Sequence, residues 1–197
     1  MKKDLVENVK ALVKKVLGNN FAHGYPHLER VYRFACDIVK HEKLDIDPLV
    51  LNLSIYLHDI GRVLGEPHAY YSAIFARSYL SEYNVDTKVI EKVTNAILYH
   101  SFSYARKHGI KPICEEAKVL SDADKLDALG VVGFLRVFYY SWENGRTLKE
   151  TINHFNEKIF KLHELMHYQY SRQRSLQLLE WTRKSLNQFL QEIGHRL

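Results

Sequence analysis

Apolar residues recur in this chain at helical spacing almost from end to end, and no other feature constrains its fold as much. Leu5, Val9, Leu12, Val13 and Val16 form one stripe, and His27, Val31, Phe34, Ala35 and Ile38 form a second. Pro26 sits where it suits the first turn of that second helix. Asp47-Pro48 reads as a cap followed by a first helical residue, opening an almost wholly apolar helix to Ile60. Gly61 and Gly65 break it. Pro67 opens a helix to about Glu82, and Asp86 caps another that ends at His100. Ser101 to Pro112 is polar and reads as a loop. Helical pattern returns from Glu115 to about Gly130 and from Val131 to Trp142. Thr147 with Glu150 forms a capping box, and two long helical segments finish the chain. No alternation of period two lasts long enough for a strand. The expected fold class is all-α: one domain over residues 1–197, of about eight to ten helices.

A length of 197 residues fits one such domain. With 46% hydrophobic and 26% charged residues, the composition excludes a disordered chain. The longest apolar run, Ala128 to Leu135, falls far short of the ~20 residues of a membrane span. Asp4, Glu7 and Asn8 interrupt any signal-peptide core. Two cysteines, Cys36 and Cys114, are too few for a disulfide scaffold, so a reduced, cytoplasmic protein is expected. The net charge of +5 favours anionic partners. Its excess lies at the ends: five Lys against two acids in residues 1–20, and six Lys or Arg against three acids in residues 161–197. No run of five like charges offers a tail for a duplex, which argues against nucleic acid.

Phosphate-binding loops, G-x-G-x-x-G, G-x-S-x-G and paired C-x-x-C motifs are all absent. The candidates for chemistry are histidines and aspartates. His58-Asp59 ends a helix that is apolar nearly all round and therefore buried. A buried carboxylate is costly unless it is paired or bound to a metal. Asp124 shares a helix face with Ala117, Leu120, Ala128 and Val131, whereas Asp122 lies near Lys118 and Lys125 at the spacing of a solvated ion pair. Asp127 borders the Asp124 face. His27 heads one apolar stripe, His100 ends another, and His68 follows Pro67. Each alone reads as a core histidine. Together with His58, Asp59 and Asp124 they form a mixed His/Asp set without Cys. Such a set suits Mn²⁺, Fe²⁺, Co²⁺ or Ni²⁺, or Mg²⁺ if fewer His bind.

His163-Glu164-Leu165-Met166-His167 competes with this reading, because it satisfies H-E-x-x-H. No His lies three or six residues beyond His167, and no downstream acidic ligand motif follows. Both histidines fall at the edges of the stripe Phe155, Ile159, Leu162 and Met166. A pair of surface-edge histidines on an amphipathic helix is the expectation.

The spacing His27, His58-Asp59, Asp124 resembles the H…HD…D signature of the HD superfamily of metal-dependent phosphohydrolases. His23-Gly24-Tyr25-Pro26-His27-Leu28-Glu29-Arg30-Val31 is similar to the opening helix of its small stand-alone members. Leu57 to Arg62 is similar to their second motif. The most specific match is Glu116 to Gly130, close to their E-A-K-x-x-x-D-A-D-R-L-D-A-x-G stretch, and Ile152 to Met166 also resembles that subgroup. The resemblance covers nearly the whole chain and accounts for His163 and His167 as parts of a structural helix. Many relatives carry Asp where this chain has Gly24, and often Arg where it has Lys125; the lysine keeps the positive charge but loses the bidentate geometry.

The resemblance implies a metal-site core at about residues 20–130 followed by C-terminal helices at about 131–197. It implies that His27, His58, Asp59 and Asp124 hold one divalent ion. His68 and His100 fall where some branches bind a second metal; otherwise they would meet phosphate or shuttle a proton. The attacking group would be a metal-bound water, with Arg62 and Lys125 beside the substrate phosphate. Arg30 suits a salt bridge as well as a substrate contact. The implied activity is hydrolysis of a nucleotide-like phosphoester or phosphoanhydride, leaning to nucleoside triphosphate pyrophosphohydrolysis. A nucleotide phosphomonoesterase or phosphodiesterase is the alternative, as is a non-catalytic module binding nucleotide or RNA. A monomer and a homodimer are both compatible with 13 Tyr and 9 Phe.

Overall fold

A computed structural model describes residues 2–194; Arg196, part of the basic C-terminal excess, lies outside the described residues. The described residues form ten α-helices and no strand. They are α1 (Lys2–Leu17), α2 (Tyr25–Glu42), α3 (Pro48–Leu57), α4 (His68–Glu82), α5 (Thr87–His100), α6 (Phe102–His108), α7 (Glu115–Asp127), α8 (Gly130–Glu143), α9 (Leu148–Glu157) and α10 (Gln169–Glu192). Short 3₁₀ helices at Ile60–Leu64 and Ile159–Leu165 link α3 to α4 and α9 to α10. No helix among the described residues is long and apolar enough to cross a membrane.

Local chemistry sets most of these boundaries. Asp47 caps α3 by accepting from the Leu49 N–H, and Asp86 caps α5 by accepting from Lys88. Thr147 and Glu150 form both bonds of the capping box on α9. Two expectations fail. The stretch read as a loop contains α6, which buries Ala105 and stops at Gly109 in a left-handed turn. The segment read as a long helix after Thr147 is the ten-residue α9 followed by a 3₁₀ turn, because Lys158 leaves helical geometry.

Two hydrophobic clusters meet across α2, α3 and α5. One packs Leu28, Leu53 and Ile97 against α1 and α4 through Val9, Val13, Ala76 and Leu80. The other packs Val31, Ile55 and Ala96 against α7, α8, α9 and α10 through Leu120, Leu126, Val137, Phe155 and Leu179. Thus α8–α10 close the same core that α2 and α7 build. Phe155 is fully buried, and truncating such a ring in a packed core costs about 3–5 kcal/mol.

Two glycines allow close approaches beside the polar centre. A Cβ at Gly61 would stand 2.5 Å from the His68 carbonyl oxygen and the Ser72 nitrogen, so glycine lets the start of α4 lie on the 3₁₀ helix. A Cβ at Gly24 would stand 2.5 Å from the Asn20 backbone, so a side chain has no room in this turn.

Candidate metal centre

Five helix ends bring the polar residues together. His27 enters from the first turn of α2, His58 and Asp59 follow α3, and His68 opens α4. His100 closes α5, and Asp124 comes from the last turn of α7. His27 and His58 are fully buried and Asp59 is 1% exposed. His27 Nε2 lies 3.3 Å from His58 Nε2, 3.7 Å from Asp59 Oδ2 and 3.5 Å from Asp124 Oδ1. The other Asp59 oxygen, Oδ1, lies 3.4 Å from His68 Nε2 and 3.8 Å from His100 Nε2. The cluster therefore contains two groups of ligand-type atoms joined at Asp59: His27, His58 and Asp59, and Asp59, His68 and His100.

All four histidines aim Nε2 inward and anchor Nδ1 outward. His27 Nδ1 donates to Asp127 Oδ2 at 2.7 Å, and His58 Nδ1 to the Ile55 carbonyl at 2.7 Å. His68 Nδ1 faces Glu66 at 3.0 Å, and His100 Nδ1 donates to the Ile97 carbonyl. An outer acceptor of this kind fixes the tautomer and leaves Nε2 free to ligate.

The electrostatics favour cation binding. Burial opposes ionisation of Asp59, but the Arg62 guanidinium, His58 and His68 outweigh it and hold the carboxyl well below its usual range. Arg62 Nε donates to Asp59 Oδ2 at 2.6 Å. Burial likewise opposes ionisation of Asp124, yet His27, His58 and His100 pull its pKa down. Burial, helped by Arg136, depresses the pKa of His27 to about 4, and burial with His58 beside it depresses that of His100 to about 3. Both rings are neutral at neutral pH, the state that binds a metal. The residues fit a divalent ion on a direct observation: Asp59 Oδ1 is buried and has no hydrogen-bond partner. An orphaned carboxylate oxygen between two imidazole nitrogens is costly unless a cation completes it.

These depressed pKa values carry a sign. A histidine whose folded pKa lies below its ordinary 6.5 stabilises the fold fully above pH 6.5, and that stability is lost as pH falls towards the folded value. The metal-free protein is expected to lose melting temperature steadily from pH 7 to 4, as read by circular dichroism melts under chelation. A flat profile would contradict the neutral, buried assignment of His27 and His100.

Some sequence expectations need correction. Asp122 is no solvated ion pair: it is fully buried and accepts from the His167 and Tyr168 N–H groups and from His167 Nδ1 at 2.7 Å. Asp124 lies at the edge of the core, its side chain 28% exposed while Ala117 and Leu120 on its face are fully buried, and Val131, expected on the same face, belongs instead to α8. Lys125 is buried, and its ammonium donates to the carbonyl and hydroxyl of Ser121 on its own helix. Arg30 makes the salt bridge, with Nε 2.7 Å from Asp127 Oδ1.

The H-E-x-x-H residues do not converge. His163 sits in the 3₁₀ turn with Nδ1 donating to the Phe160 carbonyl, while His167 lies past its end, bound to Asp122 and Tyr99. His163→Ala is expected to keep metal content and hydrolysis within about twofold. A large loss of either in a folded variant would restore H-E-x-x-H as a competing metal site.

Sequence reading missed the Asp127 hub and His23. Asp127 accepts from His27, from Arg30 twice, and from Arg136 Nη1 at 2.8 Å. A buried arginine in apolar α8 was the available signal. His23 lies edge-on between His27 and Tyr140, ring centroids 6.0 and 5.2 Å away, and burial with Arg62 nearby drives its pKa to about 2.

A helical domain with a His/Asp centre of this kind is a metal-dependent hydrolase. The chain belongs to the HD domain family, whose pattern matches residues 24–129. It is 27% identical to the uncharacterized Bacillus subtilis protein YpgQ over 165 residues, 81% of this chain and 80% of that one. The crystal structure of YpgQ in complex with ADP superposes with a TM-score of 0.75 and 22% identity, covering 97% of this chain and 96% of that one. An HD-superfamily hydrolase from Bacillus thuringiensis gives a TM-score of 0.72 at 24% identity over 100% of both chains.

Proposed function

We propose that the protein hydrolyses a nucleotide phosphoanhydride, converting a nucleoside triphosphate and water to the monophosphate and pyrophosphate. The observation that carries the hydrolytic site is the convergence of four Nε2 atoms on Asp59, each ring pinned from behind. His27, His58, Asp59 and Asp124 are the proposed ligands of one divalent ion, and His68 and His100 share Asp59 at a second position. A divalent cation bound there polarises the phosphoryl group and lowers the pKa of water.

The remaining steps belong to the protein's own groups. Arg62, 23% exposed at the side chain, offers the guanidinium face not spent on Asp59 to a phosphate oxygen. Lys125 contributes field rather than contact, because Ser121 occupies its ammonium. The exposed Lys158 feels the charges of Asp124 and Arg62, and its ammonium would add to the positive field that a phosphate meets. Desolvation depresses its pKa, and Arg62 adds to that while Asp124 opposes it. Where no second ion is held, proton transfer falls to His68, at the rim with Glu66 behind it, rather than to His100, which is sealed and neutral. The nucleotide class is supported by the ADP complex of YpgQ.

The test is product analysis after incubation of the Mn²⁺-loaded protein with a panel of nucleotides. Pyrophosphate with monophosphate is the expected result and reports attack at the α-phosphorus. Orthophosphate released from monophosphates would replace this reading with a phosphomonoesterase. Bound metal without turnover of any nucleotide would replace it with a sensor.

A further inference from the structure

Bordering Asp127, which anchors His27, a cavity of about 370 Å³ opens between α2, the start of α8 and α10. Its charged lining is Arg30, Arg33 and Arg174 against Asp37 and Asp127, and its apolar lining includes Phe34 and Leu178. Asp127 is already satisfied. It accepts from Arg30, Arg136 and His27, and its side chain is 1% exposed. Arg33 is exposed and makes no ion pair among the described residues. Among the described residues, Arg174 hydrogen-bonds the neutral Gln177 side chain, at 3.0 Å, and makes no ion pair. Two guanidiniums therefore face this space with one carboxylate, Asp37, to oppose them.

We infer that this cavity binds a small organic phosphate: the phosphoryl group on Arg33 and Arg174, and a flat or apolar body against Phe34 and Leu178. Guanidinium forks match phosphate oxygens in bidentate geometry, and two forks suit a doubly charged group. The volume lies within the range of small-molecule sites, about 300–1,000 Å³. It is about tenfold the ~30 Å³ share of one water, so a bare ion would leave most of it unfilled. The cavity also touches the metal centre through Arg30 and Asp127. Arg30 lines it and holds Asp127, whose Oδ2 in turn holds His27 Nδ1. A ligand that draws on Arg30 takes one anchor from the carboxylate that orients His27 and so changes how that ring is held. Occupancy and metal affinity are then coupled, and the coupling is reciprocal. The inference does not depend on which phosphate ester the enzyme hydrolyses.

Calorimetric titration of the Mn²⁺-loaded protein with phenylphosphonate, which resists hydrolysis, tests it. An Arg33→Ala/Arg174→Ala protein is expected to bind at least tenfold more weakly than wild type, and Asp37→Asn several-fold more tightly. Both variants lie outside the metal centre, and the opposite signs separate a charge effect from misfolding. Saturating phenylphosphonate is expected to shift Mn²⁺ affinity in wild type and not in the double variant. Equal binding by all three proteins would place the ligand at the metal centre and overturn the inference. So would inorganic phosphate binding as tightly as phenylphosphonate, which would reduce the site to a simple ion contact, and so would absence of binding to wild type.

Discussion

Asp59→Ala is expected to lose its metal on desalting and to lower turnover at least about a thousandfold, equivalent to roughly 4 kcal/mol of barrier. Asp59 is the one residue common to both groups of ligand atoms: Oδ2 faces His27 and His58, and Oδ1 faces His68 and His100. Asp59 is only 1% exposed, so bulk water does not readily take its place. The substitution also frees Arg62, but that guanidinium is partly exposed and has Glu66 3.9 Å away, so helix content survives. Metal content by mass spectrometry and the melting-temperature gain on adding Mn²⁺ both read the loss, since an ion that no longer binds the folded state no longer stabilises it. Asp59→Asn, which keeps the shape and removes the charge, should lose most of the metal affinity with the melt of the metal-free protein little changed. Metal retention with undiminished turnover in Asp59→Ala would overturn the site.

The second large effect falls on stability. Asp127→Ala removes the acceptor of two arginines and a histidine in one step. Arg136 is only 8% exposed, and its remaining bond is to the Ala22 carbonyl. Stranding a buried cation in this way costs about 3–5 kcal/mol. His27 loses its outer anchor as well, and such losses typically weaken metal binding about 10–100-fold. Urea unfolding should show a midpoint far below wild type, with a separate fall in Mn²⁺ affinity. Asp127→Asn keeps an acceptor for one donor and should fall between the two. A wild-type midpoint in Asp127→Ala would show that the hub carries no stability.

How much of this was legible depends on the distance over which each interaction acts. Helix caps such as Asp47, Asp86 and Thr147 are local, and sequence spacing located them. The cost of a charge at the end of an apolar helix pointed to Asp59 before any coordinates. The anchors of His58 and His100 are backbone carbonyls three residues back, which no side-chain pattern displays. Asp127 pairs with Arg30 across 97 positions, and Asp122 meets His167 across 45, so helical spacing alone misassigned Asp122 to Lys118 and Lys125. The helix α6 escaped notice because its seven residues bury only Ala105.

The shared core has a consequence for synthesis. Every residue of the polar cluster lies before position 125, yet the core beside α2 and α7 includes Leu179, Leu186 and Leu190 from α10. A ribosome delivers His27 through Asp124 while the helix that seals their surroundings is still untranslated. Helix α2 must wait with Val31 and Ile38 uncovered, a state in which nascent apolar surface is open to chaperones and to aggregation. Helix α10, which follows the cluster in the chain and shares its core, therefore helps to set when the polar cluster becomes rigid, and a cation arriving earlier meets a looser set of ligands.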